Sequence, residues 1–570
     1  MNPIESMKAD CKNCYKCLRV CPVKSIRFNH EQAELLKDEC IWCGACVKAC
    51  PQHAKAVRSE VDKVRDMLEH NHPVAVSLAP SFIGSFGADD PMKVVAALKR
   101  LGFAQVRETA EGAAMVSDEL VKIAKTGKMD NIITTCCPSV NELVEKHYPE
   151  LVDTMAPLVS PMIAHARLIK HESPDTKVVF VGPCIAKMAE AEDVRHEDVD
   201  AVLTFEDMEK WFWQEGIDLN ALDAAPFDGP DAGLARMYPT CAGVIQNALA
   251  RGLTGYETLH VEGAEECKEL FRAIQAGEIH GCLIEMNICQ GSCMGGPKAG
   301  QEKRNRFTGA LAVEQYAKKS AQPLGTIPEQ EAISLGKVFV NRRKELAQPD
   351  EETIRSILRS IGKESKMDEL NCGSCGYPSC REKAIAVFQG KAELSMCLPH
   401  MCQAAQSMSN VVLDSTPNAI VIVDEEMKIK EVNSAAQKMF RVSRQEALER
   451  SLYEFMDATD FEYVLQNFDA VTDKKRELDE FGVVVRETLV YLPKQHGVMG
   501  ILNDVTQDEE QEKALYQLRV DTMDMAQKVI DKQMIAAQEI ASLLGETTAE
   551  TKATLTKLKT MIIHNGESQL

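Results

Sequence analysis

Two cysteine runs near the start of the chain leave few choices of fold. Cys11, Cys14, Cys17 and Cys21-Pro22 form C-x2-C-x2-C-x3-C-P, and Cys40, Cys43, Cys46 and Cys50-Pro51 repeat it. In such a doubled run three thiolates come from one tight loop, and the fourth cysteine of each run ligates the other cluster. Cys11, Cys14, Cys17 and Cys50 are therefore assigned to one [4Fe-4S] cluster, and Cys40, Cys43, Cys46 and Cys21 to a second. Four-cysteine zinc sites rarely combine this doubled spacing with a following proline. Residues 1–56 read as an electron-transfer domain of the two-cluster ferredoxin type.

The chain has 570 residues, too many for one core, and 21 cysteines. Its net charge of −21 argues against nucleic-acid binding, which needs concentrated Lys and Arg. MNPIESMKADC has no apolar signal region and no apolar run nears the ~20 residues of a membrane span, so the expected location is cytoplasmic. A reducing compartment disfavours disulfides, and the cysteines cluster at metal-ligand spacing. Iron–sulfur ligation is the better explanation of them.

Residues 57–345 read as an α/β region, with apolar strands alternating with longer helices. Arg58–Asn71 is expected to be a connecting helix, His72–Leu78 a strand, Met92–Leu101 a helix, and Lys177–Val181 and Ala201–Thr204 buried strands. Thr204-Phe205-Glu206-Asp207 is expected to open the next helix. Three further cysteine segments lie here. TTCCP places Cys136 and Cys137 before a proline-started helix; GPCIAKMAE puts Cys184 at a strand end with Lys187 and Glu190 on the next turn. GCLIEMNICQGSCMGGP sets Cys289 and Cys293 four residues apart among glycines. Thiolates from three segments can share one cluster only if the fold brings their loops together.

Together these segments resemble the signature loops of the [FeFe]-hydrogenases, T-S-C-C-P, P-C-x-x-K-x-x-E and E-x-M-x-C-x-x-G-C, with further similarity in SPMIAHARLIK and LTFEDMEKWF. The resemblance implies an H-cluster, a [4Fe-4S] cube joined by one cysteine to a two-iron unit carrying CO, cyanide and a bridging dithiolate. It implies that Cys137, Cys184, Cys289 and Cys293 ligate the cube, with Cys293 bridging. It further implies that Lys187 hydrogen-bonds a cyanide, that Cys136 relays protons, and that Glu190 is the acid of the second loop. Glu119 is a possible next carboxylate. The chemistry suits these types, since splitting H2 needs a metal, a nearby base and groups of adjustable pKa to carry the proton away.

The chain also departs from the pattern. Val140 stands where the first loop usually has Trp, Gly182 replaces the Met before the second loop's Pro-Cys, Asn287 replaces a Met, and Ser292 replaces the Gly between the last two ligands. Cys241, in YPTCAGVIQ, lies in a stretch similar to another cofactor-pocket loop. Polar Asn287 and Ser292 beside the ligands are expected to retune the site while leaving the metal ligands intact. Cys267 and Cys282 have no motif and read as core thiols.

Residues 346–405 hold Cys372, Cys375, Cys380 and Cys397, C-x2-C-x4-C-x16-C, similar to a small single-[4Fe-4S] domain; Cys402 falls outside that set. Residues 406–508 resemble a PAS domain from LDSTPNAIVIVDEEMKIKEVNSAAQKMF onward, with no cysteine and with His496 at a surface turn. Residues 509–570 read as a helical tail. Tyr516, Val520, Met523, Gln527, Ile530, Met534, Ala537, Ala541 and Leu544 form a coiled-coil-like seam over Glu509–Leu544, and Gly545 and a Thr547-x-x-Glu550 box precede a second helix; a dimer seam is the preferred reading and a helical hairpin packed on one flank of the domain the alternative. No kinase, phosphatase or DNA-binding motif follows, so an output enzyme acts in trans.

The expected architecture is multidomain, mixed α+β and α/β: a two-cluster ferredoxin domain, an α/β H-cluster domain, a small Fe–S domain, a PAS domain and a C-terminal helical tail. The expected function is an H2-sensing hydrogenase, catalysing H2 = 2 H+ + 2 e−, possessing three accessory [4Fe-4S] clusters and an H-cluster. Its expected partners are ferredoxin or another redox protein, a second copy through PAS and tail, and a regulatory phosphatase or kinase. The alternatives are a metabolic ferredoxin-linked hydrogenase and a non-catalytic Fe–S redox sensor.

Overall fold

The computed structural model describes residues 2–7, 10–29, 32–70, 72–193, 197–300, 305–320, 324–325, 327, 332–543 and 548–564. They form two compact units, residues 1–401 and 402–570.

In the first unit each cysteine triplet of the N-terminal domain leads into a five-residue helix, Lys16–Val20 or Ala45–Ala49. The residues before these helices, Tyr15 (φ 57°) and Gly44 (φ 74°), take the left-handed conformation that turns the loop sharply. Cys21 and Cys50 end the helices in extended backbone, as the following prolines require. Two antiparallel ribbons, Ile26–Asn29 with Gln32–Leu35 and Ile4–Ser6 with Lys55–Val57, close the domain.

The catalytic-type region is built on two parallel sheets. The four-stranded sheet runs Gln105–Glu108, Val74–Leu78, Lys177–Gly182, Ala201–Thr204, with Val76 opposite Val106 on one side and Val179 on the other. The three-stranded sheet runs Glu257–Glu262, Cys282–Asn287, Ile132–Ile133. Strands covered on both faces read as unbroken apolar runs, and all five residues of VAVSL are buried. The helix Ala110–Lys125 packs on Pro161–Glu172 so closely that a Cβ on Gly112 would lie 2.2 Å from the Pro161 carbonyl. Buried polar groups are paired: Arg236 grips Glu108 through Nε and Nη2, and Tyr316 donates to the same carboxylate at 3.1 Å. Thr204 and Asp207 form the capping box that starts the helix Phe205–Gln214, as the sequence suggests.

The small cysteine-rich segment carries the helices Glu351–Ser360 and Cys380–Phe388 and docks on the N-terminal domain. Arg19 Nη1 donates to the Ser374 carbonyl at 3.0 Å, and Lys391 pairs with Glu39. A Cβ on Gly376 would meet Leu18 at 2.8 Å. One helix, Leu398–Ser415, runs straight through the boundary expected at residue 405, because the stretch after Pro399 contains neither Gly nor Pro to stop it.

The second unit holds a five-stranded antiparallel sheet in the order Ile429–Val432, Ala419–Val423, Gly497–Asp504, Val483–Leu492, Val471–Leu478. Phe440, Phe455, Phe461 and Leu489 fill its core. Asn433 caps its first helix, accepting from Ala436 N, and His496 sits in an exposed turn at φ 48°. The tail forms the helices Thr506–Leu543 and Thr548–His564. The seam residues Val520, Met523, Ile530 and Met534 share a groove with Leu555 and Lys559 of the second helix and are half-buried. The seam therefore faces a helix of its own chain, while Leu518, Met525 and Val529 are exposed. Leu544, Gly545 and Thr547 lie outside the described residues. Among the described residues no helix is long and apolar enough to cross a membrane.

The N-terminal domain meets the α/β region at Gly44, where a Cβ would lie 2.7 Å from Pro297 and 2.8 Å from Ile185. Gly44→Ala should cost roughly 2–4 kcal/mol, combining a left-handed alanine with overpacking. Gly127→Ala, left-handed (φ 59°) with nothing within 4 Å, should cost only the conformational part, about 1–2 kcal/mol. Anaerobic denaturant unfolding of the two variants checks the difference.

Candidate metal-cluster site

Cys136, Cys137, Cys184, Cys289 and Cys293 each sit just past the carboxyl end of a parallel strand, where open α/β sheets bind ligands. Cys136 and Cys137 follow Ile132–Ile133, with Cys137 in extended backbone before the helix Pro138–His147. Cys184 follows Lys177–Gly182, and Cys289 and Cys293 follow Cys282–Asn287. The loops converge, and Cys136, Cys137, Cys184, Cys289, Cys293, Lys187 and Glu285 line one cavity.

Burial pushes the Cys184 thiol up to about 11 and raises Cys289 and Cys293 further, with the neighbouring thiols adding to the effect. All 21 cysteines are free, with no disulfide among the described residues. Four thiols crowded around one cavity match an iron–sulfur donor set, in which metal takes the place of the protons.

Lys187 is the cation of this cavity. Its Nζ donates to Glu190 Oε2 and Ser160 Oγ, each at 2.7 Å, and approaches the Cys136 carbonyl at 3.4 Å. Burial opposes its charge, but Glu190 prevails and holds the ammonium. The other oxygen of Glu190, Oε1, is buried with no hydrogen-bond partner. Cys136 is half-buried, and its desolvation followed by the nearby Glu285 pushes its thiol far up.

Glu285 is the functional residue that sequence reasoning missed. Its Oε2 accepts from Val244 N at 2.9 Å and Ile245 N at 3.0 Å, at the start of the helix Gly243–Ala250. Burial raises it to about 7 despite those hydrogen bonds. Glu119, by contrast, has a 38% exposed side chain, pairs with Lys122 at 3.1 Å and does not line the cavity.

The two polar departures from the loop pattern extend from Glu285. Asn287 Nδ2 donates to Glu285 Oε1 at 3.4 Å and to Ser292 Oγ at 3.3 Å, and Ser292 donates to Glu262. Ser292 adopts φ 50°, the conformation a glycine would take without strain. Cys241 lies outside the cavity, exposed, with its thiol donating to Glu262 at 3.0 Å. Cys267 and Cys282 are buried core thiols.

The other cysteine sets lie nearby. Cys21, Cys40, Cys43 and Cys46 are near charge neighbours of one another, and Cys11 and Cys14 of Cys17. Cys43 also faces Cys289. Cys375 neighbours Cys372 and Cys397 around buried Lys383, whose Nζ donates to the Leu394 carbonyl. Tyr377 stands close to both Cys375 and Cys21. Cys402 is exposed and apart from these sets.

Comparison with known proteins agrees with this layout. Residues 72–297 match the iron only hydrogenase large subunit, C-terminal domain. Residues 4–51 match a 4Fe-4S dicluster domain, residues 367–399 a putative Fe-S cluster family, and residues 408–505 the PAS fold. The chain is 27% identical over 305 residues to iron hydrogenase 1 of Clostridium pasteurianum, covering 43% of this chain and 53% of that protein. It is 27% identical over 346 residues to the NADP-reducing hydrogenase subunit HndD of Solidesulfovibrio fructosivorans, covering 50% and 55%. A solved variant of [FeFe]-hydrogenase HydA1 from Chlamydomonas reinhardtii aligns with 50% of this chain and 100% of its own at 19% identity and TM-score 0.40. The chain spans about half the length of the curated relatives it matches. It carries an iron-only hydrogenase large-subunit domain together with ferredoxin-type, small Fe–S and PAS domains.

Glu285 should titrate inside the neutral range. Its folded value lies above that of an unfolded glutamate, so it is neutral below about pH 7. Its contribution to stability is complete below the ordinary glutamate range and is lost as pH rises through about 7. Infrared spectra should show a protonated-carboxyl band that fades through that window and is missing in Glu285→Gln.

Proposed function

We propose that the chain is an H2-sensing [FeFe]-hydrogenase whose redox state is reported through the PAS domain and tail. The observation that carries the reading is the cavity lined by four thiols, Lys187 and Cys136, whose extra polar groups, Asn287 and Ser292, adjoin the ligand loop. Cys137, Cys184, Cys289 and Cys293 hold the cube, with Cys293 also holding the two-iron unit. The bound H-cluster supplies the metal at which H2 is split or formed.

The protein's own groups do the rest. Lys187, kept charged by Glu190, presents a compact cation to the cyanide side of the unit. Cys136 holds the proton at Sγ, and Glu285 takes it onward, since it lies beside Cys136 and changes charge near neutrality. Cys43 neighbours Cys289, and Tyr377 stands close to both Cys21 and Cys375, so clusters held by these sets would supply electron paths from the cavity to the N-terminal domain and to the small Fe–S domain. Ferredoxin or a similar redox protein exchanges electrons with the outer clusters. The exposed apolar face of the tail supports a homodimer that signals to a regulatory kinase or phosphatase in trans.

Reconstitution with the two-iron precursor under argon tests the reading. Carbonyl and cyanide infrared bands with slow turnover are expected. Missing bands would refute any hydrogenase function, and fast turnover would favour a metabolic enzyme. Asn287→Met with Ser292→Gly should raise turnover roughly 10-fold or more, and Cys136→Ala should lower it at least as much with the bands retained.

A further inference from the structure

Beside the cavity, Cys241, His260 and Glu262 converge on one point at the surface. Cys241 precedes the helix Gly243–Ala250, while His260 and Glu262 are alternate residues of the strand Glu257–Glu262 and so share one face. Their ligand atoms all lie within 4.8 Å of one another. Cys241 Sγ is 3.0 Å and His260 Nε2 3.5 Å from Glu262 Oε1. In a tetrahedral zinc site with bonds of about 2.0–2.3 Å, neighbouring ligand atoms stand roughly 3.3–3.8 Å apart. The His260 edge to Glu262 Oε1 falls in that range and the Cys241 edge lies a few tenths of an ångström below it.

The surroundings pre-arrange the set. Glu262 Oε2 is anchored by Gly291 N at 2.8 Å, which leaves Oε1 to face the thiol and the imidazole. His260 Nε2 is shielded and makes no hydrogen bond. Thiol, imidazole and carboxylate together make a mixed donor set that zinc accepts, and a single thiolate distinguishes it from every cysteine-rich set in the chain.

We propose that Cys241 Sγ, His260 Nε2 and Glu262 Oε1 form a divalent-cation site, best matched to zinc, with solvent in the fourth position. Binding forms the metal–sulfur bond as the thiol proton leaves to solvent, and no electron is transferred. Because Glu262 Oε1 also accepts from Ser292, the residue before Cys293, a cation there competes with that hydrogen bond. Occupancy is thereby felt one residue from the cluster ligands.

The test uses the full chain with all its iron loaded, equilibrated with one equivalent of zinc. Zinc K-edge absorption reads the zinc shell independently of iron. The expected shell has one sulfur near 2.3 Å and two or three nitrogen or oxygen atoms at about 2.0–2.2 Å. Cys241→Ser and His260→Gln should each weaken zinc binding at least about tenfold in competition with a chromophoric chelator, at unchanged iron and sulfide content. A shell with no sulfur or with two or more, or undiminished binding in both variants, overturns the site. So does failure to retain zinc against a chelator of micromolar affinity. The wild-type absorption spectrum decides the matter even where a variant loses iron.

Discussion

Four thiols from three loops must meet within the width of one cube, and they must do so where water is scarce. Parallel strands meet this demand because their carboxyl ends all open on the same edge, so loops far apart in sequence finish side by side. The two parallel sheets, the helix Ala110–Lys125 locked against Pro161–Glu172, and the buried Arg236–Glu108 pair all serve to hold that edge still. The burial that excludes water also pushes the Cys184, Cys289 and Cys293 thiols up, so the fold favours bound metal over bare sulfur.

The same dry setting governs the charged groups around the thiols. Lys187 and Glu190 keep their charges only as a pair, whereas the two backbone N–H groups and the His260 imidazole near Glu285 do not offset its burial, and it shifts toward neutrality. The two carboxylates of the cavity region are thereby driven to different charge states, Glu190 ionised and Glu285 poised near neutrality.

Much of this was legible in the sequence wherever spacing alone sets geometry. The doubled cysteine run, the Thr204–Asp207 cap and the three central loops are local patterns, and the structure sets Cys21 among Cys40, Cys43 and Cys46 and the central thiols around one cavity. Glu285 was not legible, because its shift comes from burial under elements distant in the chain, which no local spacing records. Glu119 was offered as a next carboxylate, but the folded helix Ala110–Lys125 pairs it with Lys122, away from the cavity. Cys241 resembled a pocket residue, yet the strand bearing His260 and Glu262 draws it outside. The tail seam followed the heptad rule, but spacing alone could not choose between a dimer and a helical hairpin, and the structure sets part of the seam against a second helix of the same chain.

The contact of Gly44 with Pro297 and Ile185 has a consequence for electron flow. It is made by the Gly44 main chain and the Pro297 ring, which has no rotamer to change, with the end of Ile185 beside them. The loops that carry Cys43 and Cys289 are thus packed together with little room to shift. Were clusters bound on both loops, this packing would fix their spacing and leave polar neighbours such as Asn287 and Ser292 to tune the driving force.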